Sequence, residues 1–278
     1  MSENGISHHA IDREPHGGPS WPGAAAMMPE EIPSGVRDRL VLALESSSLD
    51  DAVELAVRLR PWFSAVKVGL ELFSTEGPLA LDALLDEGFR VLLDLKIHDS
   101  PSTAAGVARR IGSMGVSYLT VHSAGGEQMV RAAVDGFEEG WAASVAAGLP
   151  EPAEGEAGIL AVTSFGAGSV VDPEMVADSC RLALRARCLG VTCLASDFSD
   201  VRSATPGLLV AVPWVRGATM LSDRGPRNAG ALQVAGSGHG LLLVAEGIGG
   251  SPDPEAAALR MASEVADELV EAHVPPVP

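Results

Sequence analysis

Short apolar runs alternate with amphipathic stretches along the chain from Arg39 onward. This alternation is typical of a parallel sheet whose strands are joined by helical crossovers. The apolar runs predict eight strands, at residues 40–44, 65–69, 90–95, 117–121, 159–163, 190–194, 208–212 and 241–244. Helices are predicted between them, for example over residues 50–60, 78–87, 103–114, 173–186 and 254–274. Eight such units favour an α/β fold, a closed (β/α)8 TIM barrel in a single domain.

Two segments depart from this pattern. Residues 1–37 are rich in Gly, Pro, His, Ser and Glu and lack apolar periodicity, which predicts a flexible N-terminal extension ahead of a barrel over residues 38–278. The adjacent His8 and His9 fall in this extension, and we assign them no metal-binding role. Residues 148–157, rich in Pro, Glu and Ala, predict a surface insertion before the fifth strand.

Composition narrows the classes of partner. A hydrophobic fraction of 46% supplies a core, while a formal net charge of −18 argues against nucleic acid or an anionic membrane surface as a partner. Three cysteines, Cys180, Cys188 and Cys193, include no CxxC pair and are interpreted as reduced core thiols. The chain shows no hydrophobic signal region and no apolar run that could span a bilayer, so we expect a cytoplasmic location.

Charged residues gather at the predicted strand ends, where TIM barrels carry their reactive groups. Alternation along the third strand places Asp94 and Lys96 on one side, and Asp99 follows in the loop. Lys67 lies on the neighbouring strand. These side chains are either an ion-pair network that neutralises itself or a functional array. Four charges in one barrel mouth favour function, because burying them is costly.

Three segments around these charges resemble one known family, that of orotidine monophosphate decarboxylase. They are Ala65-Val-Lys-Val-Gly-Leu-Glu-Leu-Phe73, Asp94-Leu-Lys-Ile-His-Asp-Ser-Pro-Ser-Thr103 and Leu119-Thr-Val-His-Ser-Ala-Gly-Gly126. The resemblance extends over nearly the whole predicted barrel and is weaker after the fourth strand. The Asp-x-Lys-x-x-Asp element also occurs in related sugar-phosphate decarboxylases and hexulose-phosphate synthases, but its flanking residues are similar to the orotidine branch.

The resemblance implies a role for each charged residue. Lys96 would donate a proton to the carbon that loses carbon dioxide, Asp94 would crowd the departing carboxylate, and Lys67 would hold the network and contact the sugar. Asp99 and Thr103 would reach into a partner's site, which implies a homodimer with shared active sites. No metal or organic cofactor is implied.

Other residues near the strand ends receive weaker assignments. Ser164, at the end of the fifth strand, matches the position from which the family directs a hydroxyl at the pyrimidine. His122 and His98 are interpreted as supporting residues, and general-base catalysis by His122 is the less favoured alternative.

The chain departs from the family's pattern at two positions. Glu45 stands where the family has an aspartate that binds the ribose hydroxyls. Glu246 stands where the family has the arginine that grips the 5′-phosphate, and no Arg or Lys lies between Asn228 and Arg260. Because a carboxylate repels a phosphate, this end of the predicted site is altered.

The loop after the seventh strand leaves two questions open. Arg216, Arg224 or Arg227 replaces the missing phosphate-binding arginine, or none of them does. Trp214 fills the vacated space or simply caps the barrel. Of these residues, we select Arg216 as the candidate substrate-binding side chain.

The sequence therefore predicts a cofactor-independent decarboxylase acting on a pyrimidine-like nucleoside or nucleotide carboxylate, as a specialised paralogue with altered 5′-phosphate recognition. One alternative is a superfamily enzyme that performs proton transfer or carbon–carbon chemistry on a sugar derivative. Another is a non-catalytic nucleoside-binding homologue. The retained Lys67, Asp94, Lys96 and Asp99 argue against the last alternative, because a site without catalysis need not keep these charges.

Overall fold

The computed structural model describes residues 34–153, 155–163, 172–214, 233–234 and 240–272. Eight parallel strands pair in chain order, and the last pairs with the first, so the predicted TIM barrel is confirmed. The strands are β1 (Leu40–Leu44), β2 (Ala65–Gly69), β3 (Arg90–Ile97), β4 (Tyr118–His122), β5 (Gly158–Val162), β6 (Gly190–Thr192), β7 (Leu209–Trp214) and β8 (Gly240–Val244).

Helices surround the barrel. They are α1 (Ser34–Arg37), α2 (Leu49–Leu59), α3 (Leu70–Glu76), α4 (Pro78–Asp86), α5 (Pro101–Gly112), α6 (Gly126–Ala146), α7 (Pro173–Arg185), α8 (Phe198–Ala204), α9 (Glu246–Gly249) and α10 (Pro254–Ala272). Polar side chains begin several of them: Ser48, Ser100 and Asp172 each accept a backbone N–H from the first turn of the helix that follows. These N-caps satisfy donors that a helix start leaves unpaired.

Two apolar layers follow from the alternation of side chains along the strands. The odd-numbered β1 residue Val41 and its counterparts on other strands fill the barrel interior, whereas Leu40, Leu42 and Leu44 pack outward against the helices. The other buried members of this interior cluster are Ala65, Leu92, Tyr118, Leu160, Ala211, Leu241 and Leu243. Side chains that continue the interior positions toward the strand ends therefore point into the barrel mouth.

Helices α5 and α6 pack at backbone contact. A Cβ atom added to Gly136 would lie 2.3 Å from the carbonyl oxygen of Ala105, and one added to Gly140 would lie 2.1 Å from that of Arg109. Only glycine permits so close an approach. The contact holds α5 firmly, and α5 begins directly after the β3 loop that contains Asp99.

The structure differs from the sequence prediction in local detail. Residues 34–37, assigned to the extension, form α1, because Val36 is fully buried and α1 packs against α10. Strand β3 runs two residues further than predicted, and α3 was not predicted. Residues 148–153 and 155–157 of the predicted insertion are exposed or half-buried.

The structure also describes the three cysteines and the length and polarity of the helices. Cys180, Cys188 and Cys193 are free and buried, as predicted for core thiols. No helix in the described part of the chain is both long and apolar enough to cross a membrane.

Candidate active site

An ion pair lies in the barrel mouth at the end of β3. The Lys96 ammonium donates to Asp94 Oδ2 at 2.6 Å, and the two side chains are 32% and 14% exposed, respectively. Lys67 projects from the neighbouring β2 and interacts electrostatically with both. The structure thus brings together three of the four predicted catalytic residues, and the ion pair among them is only partly buried.

The backbone at this ion pair is irregular. Leu93 pairs with Leu119 and Ile97 with Val121, so the β3 residues between them face the single β4 residue Thr120. Lys96 lies in this bulge with φ of 49°, a left-handed conformation that costs a residue other than glycine roughly 1–2 kcal/mol. The ion pair is therefore formed by a strained bulge and not by the regular strand that alternation predicted.

The Lys67 ammonium is strongly desolvated. Burial lowers the pKa of Lys67 below the ordinary lysine value of 10.5, and repulsion from Lys96 adds to the lowering. Attraction to Asp94 and to Glu45, at the end of β1, opposes it. Glu45 thus lies within electrostatic range of the lysine, at the position predicted for contact with the sugar.

Asp99 and Thr103 lie at the exposed start of α5. The Asp99 carboxylate accepts the Ser100 backbone N–H at 2.6 Å, and this bond, with a further one from Thr103, lowers the pKa of Asp99. The Ser100 hydroxyl, 2.9 Å from that of Thr103, links the same turn. Both predicted residues are therefore ordered by local hydrogen bonds while remaining on the surface of this chain.

Two histidine rings stack beside the ion pair. The ring centroids of His98 and His122 are 5.7 Å apart, and His122 Nδ1 accepts the Ala124 backbone N–H at 3.2 Å. Burial, together with the nearby His98 and Lys96, lowers the pKa of His122. Because the Nδ1 lone pair already accepts from the loop of His122, it is not available to take a proton from a substrate, which favours the supporting role over general-base catalysis.

A cleft of about 490 Å³ opens between β1, α2 and α9. Its charged lining consists of Glu45, Asp51, Glu54 and Arg58, and the glycines 249 and 250 border it. Arg58 donates through two nitrogen atoms to the Glu255 carboxylate of α10, which raises the pKa of Arg58 and lowers that of Glu255. The basic side chain of the cleft is thus already engaged, and three carboxylates remain.

The remaining predicted site residues lie outside the described residues or at the end of β8. Ser164 and Arg216, like Arg224 and Arg227, lie outside the described residues. Glu246 begins α9 directly after β8, at the strand end where the phosphate grip was expected. Within the ranges that the structure describes, no three His, Cys, Asp or Glu side chains cluster as metal ligands would.

Two features of the site were missed at the sequence level. The chain contains two lysines, Lys67 and Lys96, and both lie in this mouth. Every other permanently charged basic side chain in the chain is an arginine, so the lysine count alone singles out these two positions. Thr120 was also missed, although it lies at an interior position two residues before His122.

The lysine count makes the desolvation of Lys67 directly measurable. In protein labelled with [¹³C]lysine, the side-chain signal that disappears in Lys67→Arg should titrate below 10.5, because burial disfavours the ammonium. Between that lowered pKa and 10.5 the unfolded chain binds more protons than the folded one, so this group makes stability rise with pH. A titration at or above 10.5 would contradict the burial of the ammonium.

A family model and two relatives of known sequence all match this chain under the same name. The model of the orotidine 5′-phosphate decarboxylase / HUMPS family matches residues 38–261. A protein named orotidine 5′-phosphate decarboxylase from Moorella thermoacetica is 33% identical over 250 residues, which cover 85% of this chain and 95% of the relative. One of the same name from Anaeromyxobacter sp. (strain K) is 36% identical over 231 residues, covering 81% and 97%.

A solved structure agrees with these relatives. The crystal structure of orotidine 5′-phosphate decarboxylase from Lactobacillus acidophilus superposes with a TM-score of 0.62 at 25% identity, covering 84% of this chain and 99% of that one. The family match and both relatives include the segments that contain Lys67, Asp94 and Lys96. The chain therefore belongs to the orotidine 5′-phosphate decarboxylase / HUMPS family.

Proposed function

We propose that this protein is a cofactor-independent carboxy-lyase that removes carbon dioxide from a pyrimidine-like nucleoside or nucleotide carboxylate. The observation that carries the proposal is the Lys96 ammonium held 2.6 Å from Asp94 in the barrel mouth, with Lys67 on the adjacent strand. The family and the names of the relatives support a decarboxylase of this type.

The geometry suits a reaction in which negative charge develops on a ring carbon. The bond from this carbon to the carboxylate breaks, carbon dioxide leaves, and the electron pair stays on the carbon. Lys96 donates its proton there, and its ammonium is in place before the charge develops, so no dipoles must reorient. Asp94 disfavours the bound carboxylate by repulsion while it orients Lys96. The electrons return to a C–H bond, so the step invokes no redox cofactor.

Loss of the proton donor provides the direct test. Lys96→Ala should lower the rate of carbon dioxide release by about 100-fold or more, the usual contribution of a positioned acid. The assay uses orotidine, orotidine 5′-monophosphate and 5′-modified orotidines as substrates. Arg181→Ala, which removes a surface ion pair on α7, is the control and should remain active.

Two outcomes would contradict the proposal. Lys96→Ala activity within tenfold of the parent would reject Lys96 as the proton donor. Failure of the parent to release carbon dioxide from any of these compounds, combined with a ligand-induced rise in melting temperature, would indicate nucleoside binding without decarboxylation.

We further infer that recognition of the substrate's 5′ end is altered. Support comes from Glu246 at the start of α9, from the lack of Arg or Lys between Asn228 and Arg260, and from the carboxylates of the adjoining cleft. The engagement of Arg58 by Glu255 leaves that cation poorly available to a phosphate. An unphosphorylated or differently substituted 5′ position fits this charge pattern better.

The charge at residue 246 can be reversed to test this inference. The parent should bind orotidine at least as well as orotidine 5′-monophosphate, and Glu246→Arg should shift the preference toward the phosphorylated ligand by roughly 1–3 kcal/mol. Glu151→Arg makes the same change of net charge in the exposed segment before β5, at the opposite end of the barrel, and should shift the preference little. Calorimetric titration measures both.

One result of that titration would exclude altered recognition. If the parent prefers the phosphorylated ligand by about a hundredfold or more, equivalent to roughly 2.7 kcal/mol, another basic group holds the phosphate. Arg216, Arg224 and Arg227 are then the side chains to replace.

We also propose that the protein acts as a homodimer in which Asp99 and Thr103 complete the partner's site. Their ordered but exposed position at the start of α5 supports this arrangement. Inactive Lys96→Ala and Asp99→Ala variants should then recover part of the parent's activity after subunit exchange, because one site of each heterodimer carries neither change. Absence of recovery despite demonstrated exchange would place Asp99 in its own chain's site.

A further inference from the structure

Thr120 occupies a distinctive place beside the ion pair. It is the one β4 residue between the two register pairs that flank the β3 bulge. Thr120 is 1% exposed, and its side chain belongs to the interior-facing series that includes Tyr118. A buried threonine in this position faces both the backbone and the side chains of the bulge.

The Thr120 hydroxyl makes two hydrogen bonds into the bulge. It accepts the Lys96 backbone N–H at 2.8 Å and donates to Asp94 Oδ1 at 2.8 Å. The other carboxylate oxygen, Oδ2, accepts from the Lys96 ammonium at 2.6 Å. The bonds form a closed ring, which runs from the Lys96 amide through Thr120 and Asp94 and returns along the Lys96 side chain.

We propose that Thr120 is a positioning residue, which sets the orientation of Asp94 and the left-handed backbone of Lys96 for proton transfer. This inference rests on the proposed decarboxylation. The bulge removes Lys96 from the regular register, and the hydroxyl supplies an acceptor for its displaced amide. The same hydroxyl occupies Oδ1, so Asp94 presents Oδ2 to the ammonium.

The ring explains why a hydroxyl is needed at this position. Valine has nearly the same shape and also favours strands, but it would leave the Lys96 amide without this acceptor and Asp94 Oδ1 without this donor. Buried polar groups that lose their partners move to recover them. Because Lys96 has an unfavourable φ, release of its amide would allow the backbone to relax and the ammonium to shift.

Thr120→Val and Thr120→Ser separate the hydroxyl from the shape of the side chain. Thr120→Val should lower kcat by about 10- to 100-fold, the range expected for hydrogen bonds to a charged group, with little change in KM. Thr120→Ser should restore most of the loss. Thr205→Val is the matched control, because Thr205 is also fully buried and its hydroxyl contacts the Val201 carbonyl and Cys180, not the β3 bulge.

The two-lysine composition supplies a second measurement that needs no turnover. Protein labelled with [¹⁵N]lysine gives two backbone amide signals, from Lys67 and Lys96. In Thr120→Val the Lys96 amide should shift and exchange faster with solvent, while the Lys67 amide keeps its protection. In Thr120→Ser the Lys96 amide should return toward the signal of the parent.

The two measurements distinguish the possible failures. An active parent with a Thr120→Val variant whose kcat lies within twofold, or whose Lys96 amide is unchanged, would overturn the positioning role and leave the decarboxylation standing. A parent that decarboxylates nothing would overturn the function, and with it the catalytic meaning of the ring, even if the Lys96 amide responds. Loss of kcat and of amide protection together, both recovered in Thr120→Ser, would support the inference.

Discussion

The enclosure of one carboxylate with two ammonium groups in the barrel mouth is the constraint on which the rest of the site depends. Burying charged groups costs free energy unless opposite charges lie close by, and the attraction of Asp94 for both lysines offsets part of their mutual repulsion. The pKa of Lys67 is lowered because the effect of burial on the ammonium outweighs the attraction of Asp94 and Glu45. Any change to one member alters the electrostatic state of the others.

Strand pairing around the barrel and a few local contacts together hold this array in place. The parallel barrel supplies the mouth, while the bulge in β3 and the hydroxyl from β4 set the local orientation of Lys96. The backbone contact of α5 with α6 stiffens the element that follows Asp99. One strand irregularity and one buried hydroxyl thus connect Lys96 to the barrel.

The distribution of charge gives the site its chemical character. A chain with a net charge of −18 has no general attraction for an anionic substrate, so the local positive potential of two lysines must select and hold it. The adjoining cleft continues the negative surface toward the end of β8. The proposed substrate, with its negative charge confined to the reacting carboxylate, is compatible with both features.

The sequence by itself determined the architecture and the residue types of the array. Alternating apolar runs and amphipathic stretches placed all eight strands, because period 2 and period 3.6 are local properties of the chain. The same alternation put Lys67, Asp94 and Lys96 at interior strand ends. The composition also points to these positions, because the chain's two lysines both fall in those segments.

Only the tertiary structure decided how these groups meet. The φ of 49° at Lys96, the unequal lengths of β3 and β4 at the bulge, and the two bonds of Thr120 depend on pairing between strands. Similarly, the engagement of Arg58 by Glu255 joins helices nearly two hundred residues apart. Residue types and periodicity constrain which faces are buried, but they do not encode the register and distances that set a hydrogen bond, because these arise when separate elements pack.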